Sequence, residues 1–316
     1  MKILCIVCAI VIVLIIGMGF YLSKFSITIN RQSLSDALKW QMEHYDLSWY
    51  RPSYVPDEFK DKFNEENQNE QLMEEEKSYT IKSFDGYELH AYYLKNIKET
   101  NKYIIISHGH TDNHYGSLKY TKMYLELGFN VIIYDLRGHG SNEETICTYS
   151  VRERKDLDVI IKDTYERYGN VEYLGIHGES LGGATSIAVL ENKPKIDFVV
   201  DDCGFADISE VFKGAIQGVP KFMVDVASVC TKLRYGYSYK QMRPVESLTE
   251  NTIPLCCIHG KDDGFILPEH ASKFQNATKG YCEVNLIDGA SHAASVLTDP
   301  VKYKRIVEEF LEKISK

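Results

Sequence analysis

The chain has 316 residues, and 36 lysines and arginines against 45 aspartates and glutamates give it a formal net charge of −9. Hydrophobic residues make up 44% and charged residues 26%, a globular composition that excludes a disordered or collagen-like chain. The acidic balance argues against binding nucleic acid, because that requires a basic face that displaces counterions. Eight cysteines are few for this length, so we expect most to be buried and reduced.

An unbroken apolar run at residues 3–22 is long enough to cross a bilayer as a helix. We interpret residues 1–24 as an uncleaved transmembrane anchor in the cell membrane. The alternative is a cleaved signal peptide, but the run exceeds the usual apolar region, and residues 17–19 are only a weak cleavage site. The flanking cations differ too little in number to decide the side of the membrane.

Residues 25–76 are expected to form an acidic, helical connecting segment. Between residues 57 and 76, nine acidic residues oppose two lysines, so −7 of the net −9 lies here. Such a charge run is typical of a solvated helix or linker. Trp40, Trp49 and Tyr50 precede it, and they lie either at the membrane interface or against the following domain.

From residue 77 onward, short β-rich segments alternate with helical patterns. The predicted strands are residues 79–81, 87–94, 103–107, 129–134, 171–176, 196–200, 254–258 and 282–287, and the clearest helices are 115–127, 151–168, 181–191 and 300–314. The first two strands predict a hairpin, and the last six are nearly continuous apolar runs, typical of a parallel sheet covered on both faces. Residues 77–316 are therefore predicted to be one α/β domain with an eight-stranded, mostly parallel sheet and helices on both faces.

Some fifty residues separate the sixth predicted strand from the seventh, more than a crossover helix needs. Apolar residues recur there at helical spacing, namely Val211, Phe212, Ile216, Phe222, Met223, Val226 and Val229. We interpret residues 204–250 as a helical lid that shapes an apolar substrate pocket. A structural excursion without substrate contact is the alternative.

A G-x-S-x-G motif at residues 178–182 has Ser180 at its centre. It follows a predicted strand and opens a predicted helix, which is the strand–turn–helix context of a nucleophile elbow. The flanking glycines are required because side chains there would collide with the neighbouring strand and helix. Ser180 is therefore the candidate nucleophile, and the Leu181 amide is a candidate donor to an oxyanion.

A serine nucleophile needs a histidine base that is held by an acid, in the chain order Ser, Asp, His. His292 follows the last predicted strand, and Asp263 follows the seventh, four residues after His259. We prefer Asp263 to Asp262 because it lies deeper in the loop, and Asp202 is the fallback. The second oxyanion donor is expected in the loop after the third strand, at the His110 amide.

Together these motifs resemble those of the α/β-hydrolase superfamily. They are the His-Gly at residues 108–109, D-L-R-G-H-G-S at 135–141, G-E-S-L-G-G at 178–183, H-G-K-D-D at 259–263 and G-A-S-H at 289–292. More narrowly, the chain is similar to bacterial membrane-anchored hydrolases of the serine-aminopeptidase and Bem46-like groups. The resemblance covers about residues 77–316 and implies Ser180 as nucleophile, Asp263 as acid and His292 as base. It also implies a structural role for the 135–141 motif, whereas residues 264–268 have one residue more before the proline than the common pattern.

We therefore predict a serine hydrolase that cleaves an acyl ester, in the manner of a carboxylesterase or lipase, without metal or cofactor. Its expected partners are a small-molecule or lipid-like acyl substrate and, through the anchor, a membrane; the oligomeric state is open. A peptidase, thioesterase or acyltransferase is the alternative, because fold and triad do not name the substrate. The intact candidate triad argues against a non-catalytic binding protein.

Overall fold

The computed structural model describes residues 2–64, 70–215 and 218–315. Its eight-stranded sheet has the order β1-β2-β4-β3-β5-β6-β7-β8. The strands are β1 (Lys77–Lys82), β2 (Glu88–Leu94), β3 (Lys102–Ser107), β4 (Asn130–Tyr134), β5 (Tyr173–Glu179), β6 (Phe198–Asp202), β7 (Leu255–Gly260) and β8 (Cys282–Ile287). β2 runs antiparallel to β1 and β4, and all other neighbours are parallel. The predicted hairpin and mostly parallel sheet are therefore confirmed.

Helices cover both faces of this sheet, which is why β4, β6 and β7 are buried along their whole length. The helices are α1 (Lys2–Ile27), α2 (Leu34–His44), α3 (Leu118–Glu126), α4 (Glu153–Tyr168), α5 (Leu181–Ala188), α6 (Ile208–Ala215), α7 (Phe222–Tyr235), α8 (Glu269–Ala277), α9 (Ser295–Thr298) and α10 (Pro300–Ile314). On one face, α3 and α10 contribute to the core, and on the other α4, α5 and α8 do.

Residues 25–76 differ from the solvated helical connection that their charge pattern suggests. The described part of this segment contains the end of α1 and the α-helix α2. Residues 65–69 of the acidic run lie outside the described residues. Trp49 and Tyr50 are buried against the domain, which excludes a place for them at a membrane interface. Glu76 is buried too and accepts a hydrogen bond from the Tyr50 hydroxyl at 2.5 Å. Apolar residues attach the segment to the core, although its many charges suggest a solvated segment when only the sequence is considered.

The interval between β6 and β7 contains α6, α7 and short 3₁₀ turns, so its helical spacing is confirmed over the described residues. Ile216, one of the residues that predicted a helix, lies outside the described residues. Val211 and Met223 face the core, and Phe212 packs against Tyr239 and Tyr149 with ring centroids 5.0 and 5.4 Å away. We call residues 204–250 the cap.

The N-terminal apolar run forms most of α1, which is long and apolar enough to cross a membrane. Its first half is exposed, whereas Gly19, Leu22, Ser23 and Ile27 are buried against the rest of the protein. A signal sequence meets the same length and composition criteria. The second half of α1 is thus a packed element of the fold.

Candidate active site

Ser180 lies at a sharp turn between β5 and α5. Its backbone has φ 53° and ψ −111°, a strained conformation for a residue with a side chain. A Cβ on Gly178 would lie 2.1 Å from the Gly182 carbonyl oxygen, and one on Gly182 would lie 2.1 Å from that of Ser107. Only glycine fits at both positions, as the motif requires. The turn presents the Ser180 hydroxyl at the carboxyl end of β5.

The structure brings Ser180, His292 and Asp263 into one hydrogen-bonded chain. Ser180 Oγ lies 3.0 Å from His292 Nε2, and His292 Nδ1 lies 2.7 Å from Asp263 Oδ2. With the Nδ1 proton donated to the carboxylate, Nε2 is free to accept the serine proton. Asp202, the fallback acid, instead has its Oδ2 3.0 Å from the Tyr120 hydroxyl oxygen.

The loop after β7 fixes the Asp263 carboxylate. Its Oδ1 accepts hydrogen bonds from the amides of Phe265 and Ile266, each at 2.9 Å. Burial alone would raise the pKa of Asp263, but hydrogen bonds from His259 and His292 hold it well below its ordinary value. The loop with one additional residue therefore still delivers an ionised carboxylate to His292.

Sequence reasoning missed His259 as a neighbour of this acid. His259 Nε2 donates to the Ile266 carbonyl oxygen at 2.8 Å and lies 3.3 Å from Asp263 Oδ2. Burial lowers the pKa of His259, but its hydrogen bonds to Asp263 and the Ile266 carbonyl outweigh this, so the pKa is raised. No spacing rule indicated this contact, because His259 lies in β7 and Asp263 in the following loop rather than on one helix. His259 is a positioning residue for the acid and its loop.

The loop that follows β3 lies directly against the serine. A Cβ on Gly109 would lie 3.7 Å from the Ser180 Cβ. His108 holds this loop, because its Nε2 accepts the Leu136 amide at 2.9 Å and its Nδ1 donates to the Gly109 carbonyl at 2.7 Å. His110 is the next residue in this loop. Its backbone amide lies on the loop beside Ser180, and the amide of Leu181 lies at the start of α5, directly after Ser180.

A cavity of about 260 Å³ opens above the serine and histidine. Its wall includes His110, Thr111, Leu181 and Ile266, together with Tyr149, Phe205, Ile208, Val211, Phe212 and Phe265. Burial, with a smaller contribution from His108, lowers the pKa of His110 to about 4, so its imidazole is neutral at pH 7. Among the described residues that line the cavity, none is an aspartate, glutamate, lysine or arginine. The site thus offers an apolar cavity beside the Ser180 side chain.

A buried ion pair lies beneath the elbow. Lys119 pairs with Glu179, the residue before the serine, and the Tyr120 hydroxyl donates to the same carboxylate at 2.5 Å. Burial lowers the pKa of Lys119, but the charges of Glu179 and Asp112 outweigh it and raise the pKa. This network supports the Ser180 turn from below.

The 135–141 motif, which follows β4, links α4 to the β1–β2 hairpin. Arg137 binds Asp156 of α4 through Nε at 2.9 Å and Nη2 at 2.6 Å, and it binds Asp85 of the β1–β2 hairpin at 3.0 Å. His139 donates from Nδ1 to the Arg137 carbonyl at 2.9 Å. These bonds are structural, as the resemblance implies.

Within the described residues, the group close enough to hold a metal ion is Cys203, Asp263 and His292, whose donor atoms lie within 4.8 Å of one another. Asp263 and His292 already bond to each other. Burial raises the pKa of the Cys203 thiol well above its ordinary value, so it stays protonated and is a poor ligand. This donor set is therefore a poor site for a metal ion.

Comparisons with known proteins agree with this fold. Residues 102–244 match the family model of the alpha/beta hydrolase fold. The uncharacterized protein YqkD of Bacillus subtilis is 30% identical over 247 residues, which are 76% of this chain and 81% of YqkD. The uncharacterized protein YfhR of Escherichia coli O157:H7 is 27% identical over 192 residues, 60% of this chain and 62% of YfhR.

Solved structures with the same fold include an esterase of Pyrococcus furiosus. It has a TM-score of 0.62 and 22% identity, over 76% of this chain and 92% of the esterase. An acylaminoacyl peptidase of Pyrococcus horikoshii has a TM-score of 0.60 and 18% identity, over 77% of this chain and 42% of the peptidase. The extent of the match to YqkD and the match to the family model show that this chain belongs to the α/β-hydrolase family.

Proposed function

We propose that this hydrolase is a serine hydrolase of acyl esters, similar to a carboxylesterase or lipase. The observation that carries the proposal is the chain of hydrogen bonds from Ser180 Oγ through His292 to Asp263, at 3.0 and 2.7 Å. In that order, the acid orients the imidazole, and the imidazole accepts the serine proton.

In the proposed reaction, His292 removes the Ser180 proton as the oxygen attacks the acyl carbonyl. The amides of Leu181 and His110 stabilise the oxyanion, and the positive end of the α5 dipole supports them. His292 then donates its proton to the leaving alcohol, which leaves an acyl-enzyme. The same histidine activates a water molecule that releases the acid and regenerates Ser180.

The lining of the cavity favours an ester with an apolar acyl group over a peptide with a free amino terminus. An aminopeptidase needs an acidic side chain to bind the substrate ammonium group. The described lining residues carry no carboxylate, whereas aromatic and aliphatic side chains dominate them. The volume of about 260 Å³ is slightly below the usual range for drug-sized ligands, about 300–1,000 Å³, and suits a short to medium acyl chain.

We further propose that α1 is retained as a membrane anchor. Residues 19, 22, 23 and 27 of α1 pack against the folded protein, and the Ile27 carbonyl oxygen accepts the Cys147 amide at 3.0 Å. A signal peptidase cut near residues 17–19 would leave Leu22, Ser23 and Ile27 in place, but it would remove Ile16 and expose the part of α7 that Ile16 and Gly19 contact. This packing supports an anchor rather than a transient signal.

The substrate proposal is tested with wild-type protein and the Ser180→Ala variant on three matched substrates. A butyryl aryl ester, an alanyl anilide and a butyryl thioester differ in the bond that is cleaved. We expect ester turnover to exceed turnover of the anilide and the thioester and to disappear in Ser180→Ala. Preferred cleavage of the anilide would indicate a peptidase, and preferred cleavage of the thioester a thioesterase.

A further inference from the structure

The second half of α1 packs along the cap helix α7. A Cβ on Gly19 would lie 2.6 Å from Val226 Cγ1 and 2.9 Å from Cys230 Sγ. Cys230 Sγ also lies 4.0 Å from the Ile16 carbonyl oxygen. The lack of a side chain at Gly19 is thus what allows the two helices to approach so closely.

This contact lies within the apolar run that is proposed to cross the bilayer. At 1.5 Å per residue, the 20 residues from 3 to 22 span about 30 Å, the thickness of the hydrocarbon layer. Gly19 and Ile16 therefore lie roughly 5–9 Å inside the end of that span. Tyr21, Lys24 and Phe25 are exposed beyond them, and such aromatic and cationic residues mark the membrane interface. Because α7 contacts Ile16 and Gly19, it must lie at least partly within the bilayer.

The outward face of α7 suits a place in the interface. Phe222, Val229 and Leu233 on it are 52%, 60% and 74% exposed. The helix and its N-cap carry Lys221, Lys232 and Arg234 against Asp225, a local net charge of 3 − 1 = +2 in a chain of net −9. Asp225 is paired with Lys213 at 3.0 Å. Apolar side chains with an excess of cations are typical of a helix that lies at an anionic lipid surface.

The end of α1 also touches the wall of the active-site cavity. The Tyr149 hydroxyl donates to the Ser26 carbonyl oxygen at 2.5 Å, and the Tyr149 ring lines the cavity beside Phe212. The Gln32 amide donates to the carbonyl oxygen of Thr111, the residue after His110, at 2.8 Å. The anchor, the cap and the cavity therefore form one contiguous body.

We propose that α7 is seated in the interfacial layer of the bilayer, with Phe222, Val229 and Leu233 against lipid, so that the cavity takes acyl esters of membrane-resident amphiphiles. The inference rests on the proposed anchoring by α1 and names the substrate class for the proposed hydrolysis. Esters dissolved in water reach the same cavity without this contact.

The depth of α7 is measured on full-length protein in vesicles of phosphatidylcholine and phosphatidylglycerol. Cys5, Cys8 and Cys282 are replaced by serine, because the other five cysteines are buried. An environment-sensitive NBD label is then attached through Leu233→Cys, or through Glu99→Cys as a control. Glu99 is exposed in the loop before β3, at the amino end of that strand, whereas the cavity lies at the carboxyl ends of the strands. We expect the label at residue 233, but not that at residue 99, to shift its emission to the blue and to be quenched by brominated lipid.

An unquenched label at residue 233 in protein that floats with the vesicles would overturn the seating of α7. Protein that does not float would overturn the anchoring and this inference with it. Quenching at residue 233 in protein that hydrolyses no ester would support the seating of α7 and contradict the proposed catalysis.

A functional comparison uses the double variant Val229→Asp and Leu233→Asp, whose sites lie outside the cavity lining. We expect turnover of a vesicle-embedded ester to fall by about tenfold, because two carboxylates on the lipid-facing side of α7 are unfavourable against acyl chains and are repelled by anionic headgroups, while turnover of a soluble butyryl ester stays within about twofold of wild type. Unchanged turnover of the embedded ester, or an equal loss with both substrates, would contradict the proposal.

Discussion

His292 Nδ1 lies 2.7 Å from Asp263 Oδ2, while Asp262, one residue earlier, has an exposed side chain and donates its amide to the Ala290 carbonyl at 3.0 Å. Adjacent carboxylates thus differ completely in their surroundings. We expect Asp263→Asn to lower kcat for a butyryl aryl ester by about 10³- to 10⁴-fold, because an amide no longer holds the productive imidazole tautomer. Asp262→Asn is the matched control and should stay within about threefold of wild type. Equal losses in both variants, or a full rate in Asp263→Asn, would remove Asp263 from the triad.

The elbow glycines give a second prediction, on stability. A Cβ at Gly182 would lie 2.1 Å from the backbone oxygen of Ser107, whereas one at Gly214 in α6 meets no atom within 4 Å. We expect Gly182→Ala to lower the free energy of unfolding by about 1–3 kcal/mol. Gly214→Ala should raise it by roughly 0.5–1 kcal/mol, because alanine is the better helix former. Urea denaturation of both variants measures this, and the opposite order would contradict the described elbow.

The cavity wall gives a third prediction, on acyl-chain length. Phe212 packs against Tyr149 at the cavity and is one of its larger side chains. We expect Phe212→Ala to move the best substrate in a series of aryl esters to longer acyl chains, since each methylene buried in the new space contributes about 0.8 kcal/mol. Phe84→Ala is the control, because Phe84 is exposed and lies outside the cavity lining. An unchanged chain-length profile in Phe212→Ala would place the acyl group elsewhere.

His110 gives a fourth prediction, on the pH dependence of stability. Its pKa is lowered to about 4 in the folded protein, from an ordinary value of about 6.5. As the pH falls from about 6.5 to 4, the unfolded chain takes up a proton at this residue that the folded chain does not. The contribution of the neutral imidazole is therefore complete above about pH 6.5 and is lost toward pH 4.

The free energy of unfolding of wild type minus that of His110→Phe should thus fall by on the order of 3 kcal/mol between pH 7 and pH 4. Urea titrations at several pH values measure the difference. A difference that is flat with pH, or that grows as the pH falls, would show that burial does not lower this pKa.

Much of the fold could be predicted because its signals are local. The apolar runs of β3 to β7 and the G-x-S-x-G at residues 178–182 each lie within about ten residues of sequence. Their order along the chain then fixes which loops meet at the carboxyl edge of a parallel sheet. That order brings Ser180, His292 and the loop at residues 259–263 together, whereas the preference for Asp263 over Asp262 and Asp202 also needed its depth in that loop.

The rest depends on contacts between distant residues that no local pattern carries. Gly19 is one small residue in an apolar run, and nothing in the sequence indicates that Val226 and Cys230 occupy the space beside it. Trp49 and Tyr50 precede an acidic run, whose charge conceals that both are core residues. The ion pair of Lys119 with Glu179 joins positions sixty residues apart, so only the fold brings it under the serine.

The most direct test of the central claim is covalent labelling of the nucleophile. Full-length wild type, Ser180→Ala and Ser78→Ala are treated with a fluorophosphonate probe, and the adduct is located by mass spectrometry; Ser78 is an exposed serine of β1. We predict one adduct, on Ser180, in wild type and in Ser78→Ala, and none in Ser180→Ala. An adduct on another serine, or labelling of Ser180→Ala at the wild-type level, would contradict the assignment of Ser180 as the nucleophile.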